Sequence, residues 1–149
     1  MPQLCLCGMK LPEIKKFTDY DPPEKSVEQF FVMHNSLKSK FKGYDVYREV
    51  FDPCDPKDKE PVQYNISGDI SEIYEDIKPG LQVWEQTNAG EKRNIIWEWK
   101  FSFEKHWGNH ATTAFRALFY LLNNHIEDED GDSVGIRKGI KEFKPAEDL

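Results

Sequence analysis

The sequence predicts an all-α fold: a single-domain helical bundle with one long central helix over residues 91–125 and irregular termini. Three observations predict it. Residues 97–110, WEWKFSFEKHWGNH, crowd three of the four tryptophans, two phenylalanines and two of the four histidines together. Trp97, Trp99, Phe101 and Phe103 alternate there with polar residues, as in a half-buried strand. Wound as a helix, however, Glu98, Ser102, Lys105, Asn109, Thr112 and Arg116 fall on one polar stripe at helical spacing. The stripe lasts about five turns and the alternation about eight residues, so the segment reads as helix. Second, Ile70, Ile73, Tyr74, Ile77, Leu81 and Trp84 fall within about 100° of arc on a helical wheel. Third, Ser26 and Gln29 form a capping box before Val27, Phe30, Phe31, His34, Leu37 and Phe41, again at helical spacing.

Taken in order, residues 1–25 are punctuated by Pro2, Pro12, Pro22 and Pro23 and are expected to run extended over the surface. A helix follows over 26–42 and stops at Gly43. Residues 44–51 are expected to form another helical piece, with Tyr44, Tyr47 and Phe51 on one side. The run DPCDPKDKEP carries Pro53, Pro56 and Pro61 and reads as a loop. The next helix spans 69–86, with Asp69 and Glu72 supplying its cap and first-turn charge. Pro79 projects to its outer face. A turn at Asn88, Ala89 and Gly90 leads into the long helix. Gly108 lies mid-helix, where glycine costs about 1 kcal/mol relative to alanine, so another backbone or a bulky ring is expected to cross there. The acidic tail 126–149 is expected to be loosely held, with a short helix near 136–143. Ile73, Ile77, Leu81, Trp99, Phe103, Ala114, Leu118 and Leu121 are the expected core. There is no internal repeat and no interdomain linker.

Composition bounds the function. A chain of 149 residues is long enough for one real core, and its aromatic fraction of 13% makes that core aromatic-rich. The net charge of −7 argues against a nucleic-acid binder, which needs a basic stripe to displace counterions. It disfavours anionic lipid equally. No segment reaches the roughly 20 apolar residues of a membrane span. The opening MPQLCLCGMK lacks the charged start and apolar run of a secretion signal. Cys5, Cys7 and Cys54 are an odd number without framework spacing, so free thiols and a cytoplasmic location are expected. As a zinc set they lack a fourth ligand.

Candidate chemistry centres on His106 and His110. Four residues apart on a helix, they share one face about 6 Å apart, the geometry of a two-histidine metal grip. Glu104 is off the Glu-x-x-His spacing of di-iron bundles, and Trp107 stands where an HExxH motif needs glutamate. The packing alternative is two part-buried imidazoles hydrogen-bonded to tyrosine, carboxylate or backbone. His34, amid an apolar face, reads as a core histidine. Lys100 and Glu104 are one turn apart and can pair or reach solvent. Asp69, Glu72, Glu75 and Asp76 form an acidic outer face that could meet a cation or a basic partner. Asp128, Asp130 and Asp132 mimic the start of a calcium loop, but Ser133 and Gly139 stand where it needs glycine and glutamate. No phosphate loop or nucleophile elbow is present.

Three segments resemble a bacterial family of unknown function: 44–53 (YDVYREVFDP), 69–81 (DISEIYEDIKPGL) and 97–118 (WEWKFSFEKHWGNHATTAFRAL). The resemblance covers residues 44–122, and its most specific part is Phe-x-x-His-Trp-Gly-x-His, here Phe103, His106, Trp107, Gly108 and His110. It implies an all-helical domain and no assigned activity.

The function expected from these readings is that of a non-enzymatic cytosolic protein that binds another protein. An immunity- or inhibitor-like role against a basic partner would suit the charge, since opposite potentials speed encounter. Its candidate surface is Asp69, Glu72, Glu75 and Asp76, with no cofactor, nucleic acid or membrane involved. The alternative is a metal-dependent or small-ligand-binding enzyme using His106 and His110. An exposed part of the aromatic arc would serve a homo-oligomer interface as readily as a ligand groove.

Overall fold

The computed structural model describes residues 1–17, 23 and 25–123. Helix α1 (Pro2–Lys10) leads to α2 (Val27–Phe41), then strands β1 (Val46–Glu49) and β2 (Val62–Asn65), then α3 (Ile66–Val83). Helices α4 (Ala89–Ser102) and α5 (Gly108–Asn123) are joined without a break by a π turn, Phe103–Trp107. Together they make the predicted long helix, 35 residues from 89 to 123. Among the described residues the fold is mostly helical, as expected, with one small sheet. Among the described residues, no helix is long and apolar enough to cross a membrane.

Local chemistry explains most boundaries. Ser26 accepts from the Gln29 amide at 3.3 Å and starts α2, as its sequence predicts. The Gln29 side chain does not close the box; its oxygen accepts from Lys78 at 2.6 Å instead. A full capping box stands before α4, where Asn88 accepts from the Gly90 and Glu91 amides and Glu91 reaches back to the Asn88 amide.

Helix α3 starts earlier than expected. Its cap is Asn65, which accepts from the Gly68 amide at 2.6 Å, and not Asp69 or Glu72. Buried Asp45 adds a second cap, accepting from the Ser67 amide at 2.8 Å and the Ser67 hydroxyl at 2.7 Å. A carboxylate against the positive end of a helix is favourable, which accounts for an acid in that place.

Two stretches depart from their sequence reading. Residues 2–10 form a helix where an extended run was expected. Pro2 sits in its first turn, where the missing N–H has no intrahelical partner to lose. Residues 46–49 form a strand where a helical piece was expected. Val46 to Glu49 pairs antiparallel with Val62 to Asn65, and Tyr47 stacks on Tyr64 at 5.7 Å. The spacing of Tyr44, Tyr47 and Phe51 mimicked a helix, but Phe51 is exposed. The proline-rich stretch between the strands is the predicted loop. The expected tail and its short helix near 136–143 lie outside the described residues.

Helix α3 is the axis of the packing, with α2 on one side and α5 on another, while α1 lies across α5 and α4. Ile73, Trp107 and Ala111 form the core cluster, bordered by Met1, Leu4, Cys5, Ile77 and Phe103. Of the expected core, Ile73 and Ala114 are buried, and Ile77, Trp99, Phe103, Leu118 and Leu121 are half-buried. Leu81 is not part of it, being 58% exposed. Pro79 is also reversed: it is buried, beside Gly80, whose missing Cβ lets Ile95 and Trp99 of α4 come close. The cause is common to both. Neighbours cover α3 from more than one direction, so a single apolar arc cannot describe its buried surface.

The π turn resolves the competition between the two periods in 97–110. Its extra residue lets the Gly108 amide bond to the Phe103 carbonyl five residues back. Trp107 is thereby brought into the core at 2% exposure, with its ring edge-on to Phe103 at 4.6 Å. A Cβ on Gly108 would lie 2.3 Å from that same carbonyl oxygen. The crowding expected at Gly108 is present, but it comes from its own helix. The neighbour that crosses here is α1, at Gly8, where a Cβ would lie 2.4 Å from the Phe103 ring.

Candidate functional site

Two histidine–carboxylate pairs lie side by side where α5 and the π turn meet α3. His106 and His110, four residues apart, project from the long helix with ring centroids 4.8 Å apart and planes at 74°. Asp69, Glu72 and Asp76 project from α3 at spacings of three and four, so they form one face opposite the imidazoles. His106 Nδ1 meets Asp76 Oδ2 at 2.7 Å, and His110 Nδ1 meets Asp69 Oδ1 at 2.8 Å. An ionised carboxylate can only accept, so each imidazole presents Nδ1–H to it. In the neutral imidazole this leaves Nε2 as the basic nitrogen. His106 Nε2 lies 3.9 Å from Glu72 Oε2.

The second oxygen of each aspartate is also used. The Tyr47 hydroxyl, from β1, donates to Asp69 Oδ2 at 2.6 Å. The Lys25 ammonium, from the segment before α2, pairs with Asp76 Oδ1. The aspartates are therefore saturated and held, while the histidines remain reachable: the His106 and His110 side chains are 43% and 21% exposed. This is a rigid carboxylate floor under two accessible imidazoles.

The electrostatics follow from the same contacts. The His110 pKa is raised, chiefly by its hydrogen bond to Asp69; burial opposes this, and the charges of Asp69, Glu72 and Asp76 reinforce it. The Tyr47 hydroxyl is pushed well above the usual tyrosine range by burial and by its bond to Asp69. Tyr64, stacked beside it, is shifted upward mainly by burial. Tyr47 thus stays a neutral donor at any physiological pH.

The expected acidic outer face does not exist as a solvated surface. Asp69 is 3% exposed, Glu75 7%, and the Asp76 side chain 4%; Glu72 alone of the four keeps substantial exposure. The two halves of the sequence reading, histidines on one helix and acids on another, are parts of a single cluster. Tyr47 and Lys25 were not singled out, because no local spacing joins a strand tyrosine or a loop lysine to a helix acid. Periodicity reports which face a residue shares and says nothing about what faces it.

The other candidates fall as follows. Lys100 and Glu104 pair at 3.1 Å, one turn apart. His34 is half-buried and stacks on Phe30 at 5.9 Å. Cys5 is half-buried, and Cys7 and Cys54 are exposed; all three are free thiols. Among the described residues, no three histidine, cysteine, aspartate or glutamate side chains are placed to hold a metal ion together. Each Nδ1 is spent on its own aspartate, which keeps the two imidazoles on separate partners.

With the long helix, its histidine segment and the α3 face established, the comparison with known families is direct. A domain of unknown function, DUF5063, matches residues 1–124. The chain belongs to the DUF5063 family. The match takes in α1 and the hairpin as well as the helices at the site, so the DUF5063 domain is wider than the 44–122 stretch that carried the resemblance. A solved structure, protein BF1032 from Bacteroides fragilis, is similar at 24% identity and a TM-score of 0.68. The likeness covers 80% of this chain and 69% of that one, and it shows the fold alone. No curated protein matches.

Proposed function

We propose that this chain binds a small polar ligand at the α3–α5 seam and moves protons there through His106 and His110. The observation that carries the reading is the pair of accessible imidazoles, each fixed through Nδ1 by a buried aspartate. A carboxylate behind Nδ1 orients each ring and leaves Nε2 turned outward to accept a proton or to donate one, and the hydrogen bond to Asp69 raises the pKa of His110. Two such rings 4.8 Å apart, with Glu72 near one of them, can hold one proton-accepting and one proton-donating group together. That arrangement serves acid–base chemistry or charge-sensitive recognition of a polar ligand.

The test is a proton NMR screen of small polar molecules, following the ring signals of His106 and His110. A ligand should move both signals saturably, and His106→Gln with His110→Gln should abolish its binding, measured by calorimetry, in a protein that still folds. A screen in which no molecule moves both signals would overturn the reading.

A second reading, a protein-binding role, is favoured by a different observation. Phe115, Phe119 and Tyr120 are exposed together on α5, and clustered exposed aromatics suit a protein interface. Three of the four acids proposed from sequence to meet a basic partner are covered, so support for this role moves from charge to this aromatic ridge. A partner recovered by affinity purification and lost on Phe115→Ser with Phe119→Ser would support it. Retained binding in that variant would remove the ridge as the contact.

A further inference from the structure

Asp76 faces two ways. One oxygen holds His106 at the seam, and the other is taken by Lys25 at the wall of a cavity of about 220 Å³ between α3 and α4. The cavity is walled by Pro79 and Gly80 of α3 and by Ile95, Glu98 and Trp99 of α4. Among the described residues, its ionisable groups are two carboxylates, Asp76 and Glu98, and one ammonium, Lys25. Its volume is below the roughly 300–1,000 Å³ of drug-sized ligand sites, so its occupant is small.

Lys25 is the replaceable member of this set. Its side chain is 53% exposed, whereas the carboxylate it neutralises is 4% exposed. An exposed lysine stem loses side-chain entropy when pinned, and such an ion pair contributes little. The acid beneath it, by contrast, cannot be left buried without a donor. Trp99 is fixed for its part: its N–H donates to the Ile77 carbonyl at 3.2 Å, and its ring stacks on Trp84 at 5.5 Å. A buried acid, a second acid and a fixed indole around a small apolar space are the components of an ammonium site.

We propose that this cavity binds a small primary amine whose ammonium replaces Lys25 on Asp76, with its apolar body against Ile95 and Trp99. Lys25 is then an internal competitor that occupies the acid when the amine is absent. The inference rests on the seam reading in one respect: because Asp76 also holds His106, amine binding changes the partner of the seam histidine's own carboxylate. Amine capture itself needs only the cavity.

The experiment uses the full chain with 2-phenylethylamine as probe and its neutral and acidic counterparts, 2-phenylethanol and phenylacetate, as controls. Binding is measured by calorimetry, and the His106 ring signal is followed by NMR. The amine should bind saturably and at least about tenfold tighter than the alcohol, the difference a charge-assisted hydrogen bond makes. Phenylacetate should not bind. Lys25→Gln should tighten amine binding about two- to fivefold, the strength of an exposed ion pair. Asp76→Asn should abolish it, and Glu98→Gln, in a residue outside the Asp76–Lys25 pair, should weaken it in a protein that folds normally. Equal affinity for amine and alcohol, no amine binding, or unchanged affinity in Lys25→Gln would overturn the proposal. Amine binding that leaves the His106 signal unmoved would instead sink the link to the seam while leaving the amine site standing.

Discussion

The indole N–H of Trp107 donates to the backbone carbonyl of Trp99 at 3.2 Å, eight residues back along the same helix. Trp99 in turn donates to the Ile77 carbonyl of α3. Two indoles in series therefore lock the π turn to α4, and α4 to α3. Trp107→Ala should lower stability by about 3–5 kcal/mol, the range for removing a large buried aromatic. Trp107→Phe keeps most of the ring but not the donor, and should cost about 1–3 kcal/mol. Denaturant unfolding of both variants decides; unchanged stability in Trp107→Phe would mean that the hydrogen bond contributes nothing beyond packing.

Gly108→Ala should destabilise despite the better helix propensity of alanine. The new Cβ would meet the Phe103 carbonyl oxygen at 2.3 Å, and a backbone atom cannot swing aside. The expected loss is about 1–3 kcal/mol, as for other overpacked sites. Gly8→Ala should also destabilise, by pressing on the Phe103 and Trp107 rings. Limited proteolysis separates the two, because only Gly8→Ala should speed cleavage within residues 2–10. A rise in melting temperature for Gly108→Ala would refute the crowding.

How far the sequence reaches is visible at this point in the chain. Helical spacing from Glu98 to Arg116 disclosed the long helix, and Gly108 disclosed a crowded place. The π turn was not legible, since one inserted residue barely disturbs a polar stripe on the opposite face. The hairpin was missed because Tyr44, Tyr47 and Phe51 fit a helical spacing by chance. The β-rich runs VYRE and VQYN flanking the proline loop were the signal that could have found it. His106 and His110 were legible as a pair, and the acids of α3 as a row. Their meeting was not, because it depends on how two helices 30 to 41 residues apart are rotated.

Asp45→Ala should lower stability by about 1–2 kcal/mol, since a buried acid that caps a helix loses both of its bonds to Ser67. Asp45→Asn keeps one acceptor oxygen and should lose less. Thermal unfolding of the two variants tests the order. Asp45→Asn as damaging as Asp45→Ala would assign the effect to the charge at the helix end rather than to the hydrogen bonds.

Stability should fall as the pH rises above the ordinary histidine value. The His110 pKa is raised from 6.5 in the folded state, so folding favours its protonated form. That contribution is fully present below 6.5 and is lost as the pH climbs through the folded value. Denaturant midpoints collected from pH 6 upward should therefore decline, and the decline should be shallower in His110→Gln. An unchanged slope in that variant would show that another group carries the dependence.

Tyr47→Phe should raise the His110 pKa further. The Tyr47 hydroxyl now donates to Asp69 Oδ2 and disperses part of the negative charge that His110 meets at Oδ1. Without that donor the carboxylate is more basic, and it holds the imidazolium more tightly. Asp69→Asn should do the reverse: the largest cause of the upward shift is removed, and the burial that opposes it remains. Both shifts can be read from the His110 ring signal in NMR titrations. Tyr47→Phe should also cost about 1–3 kcal/mol, because it leaves a buried carboxylate oxygen without its donor. If the His110 titration is the same in Tyr47→Phe as in the unaltered chain, the tyrosine does not tune the pair, and Asp69 alone sets the behaviour of that histidine.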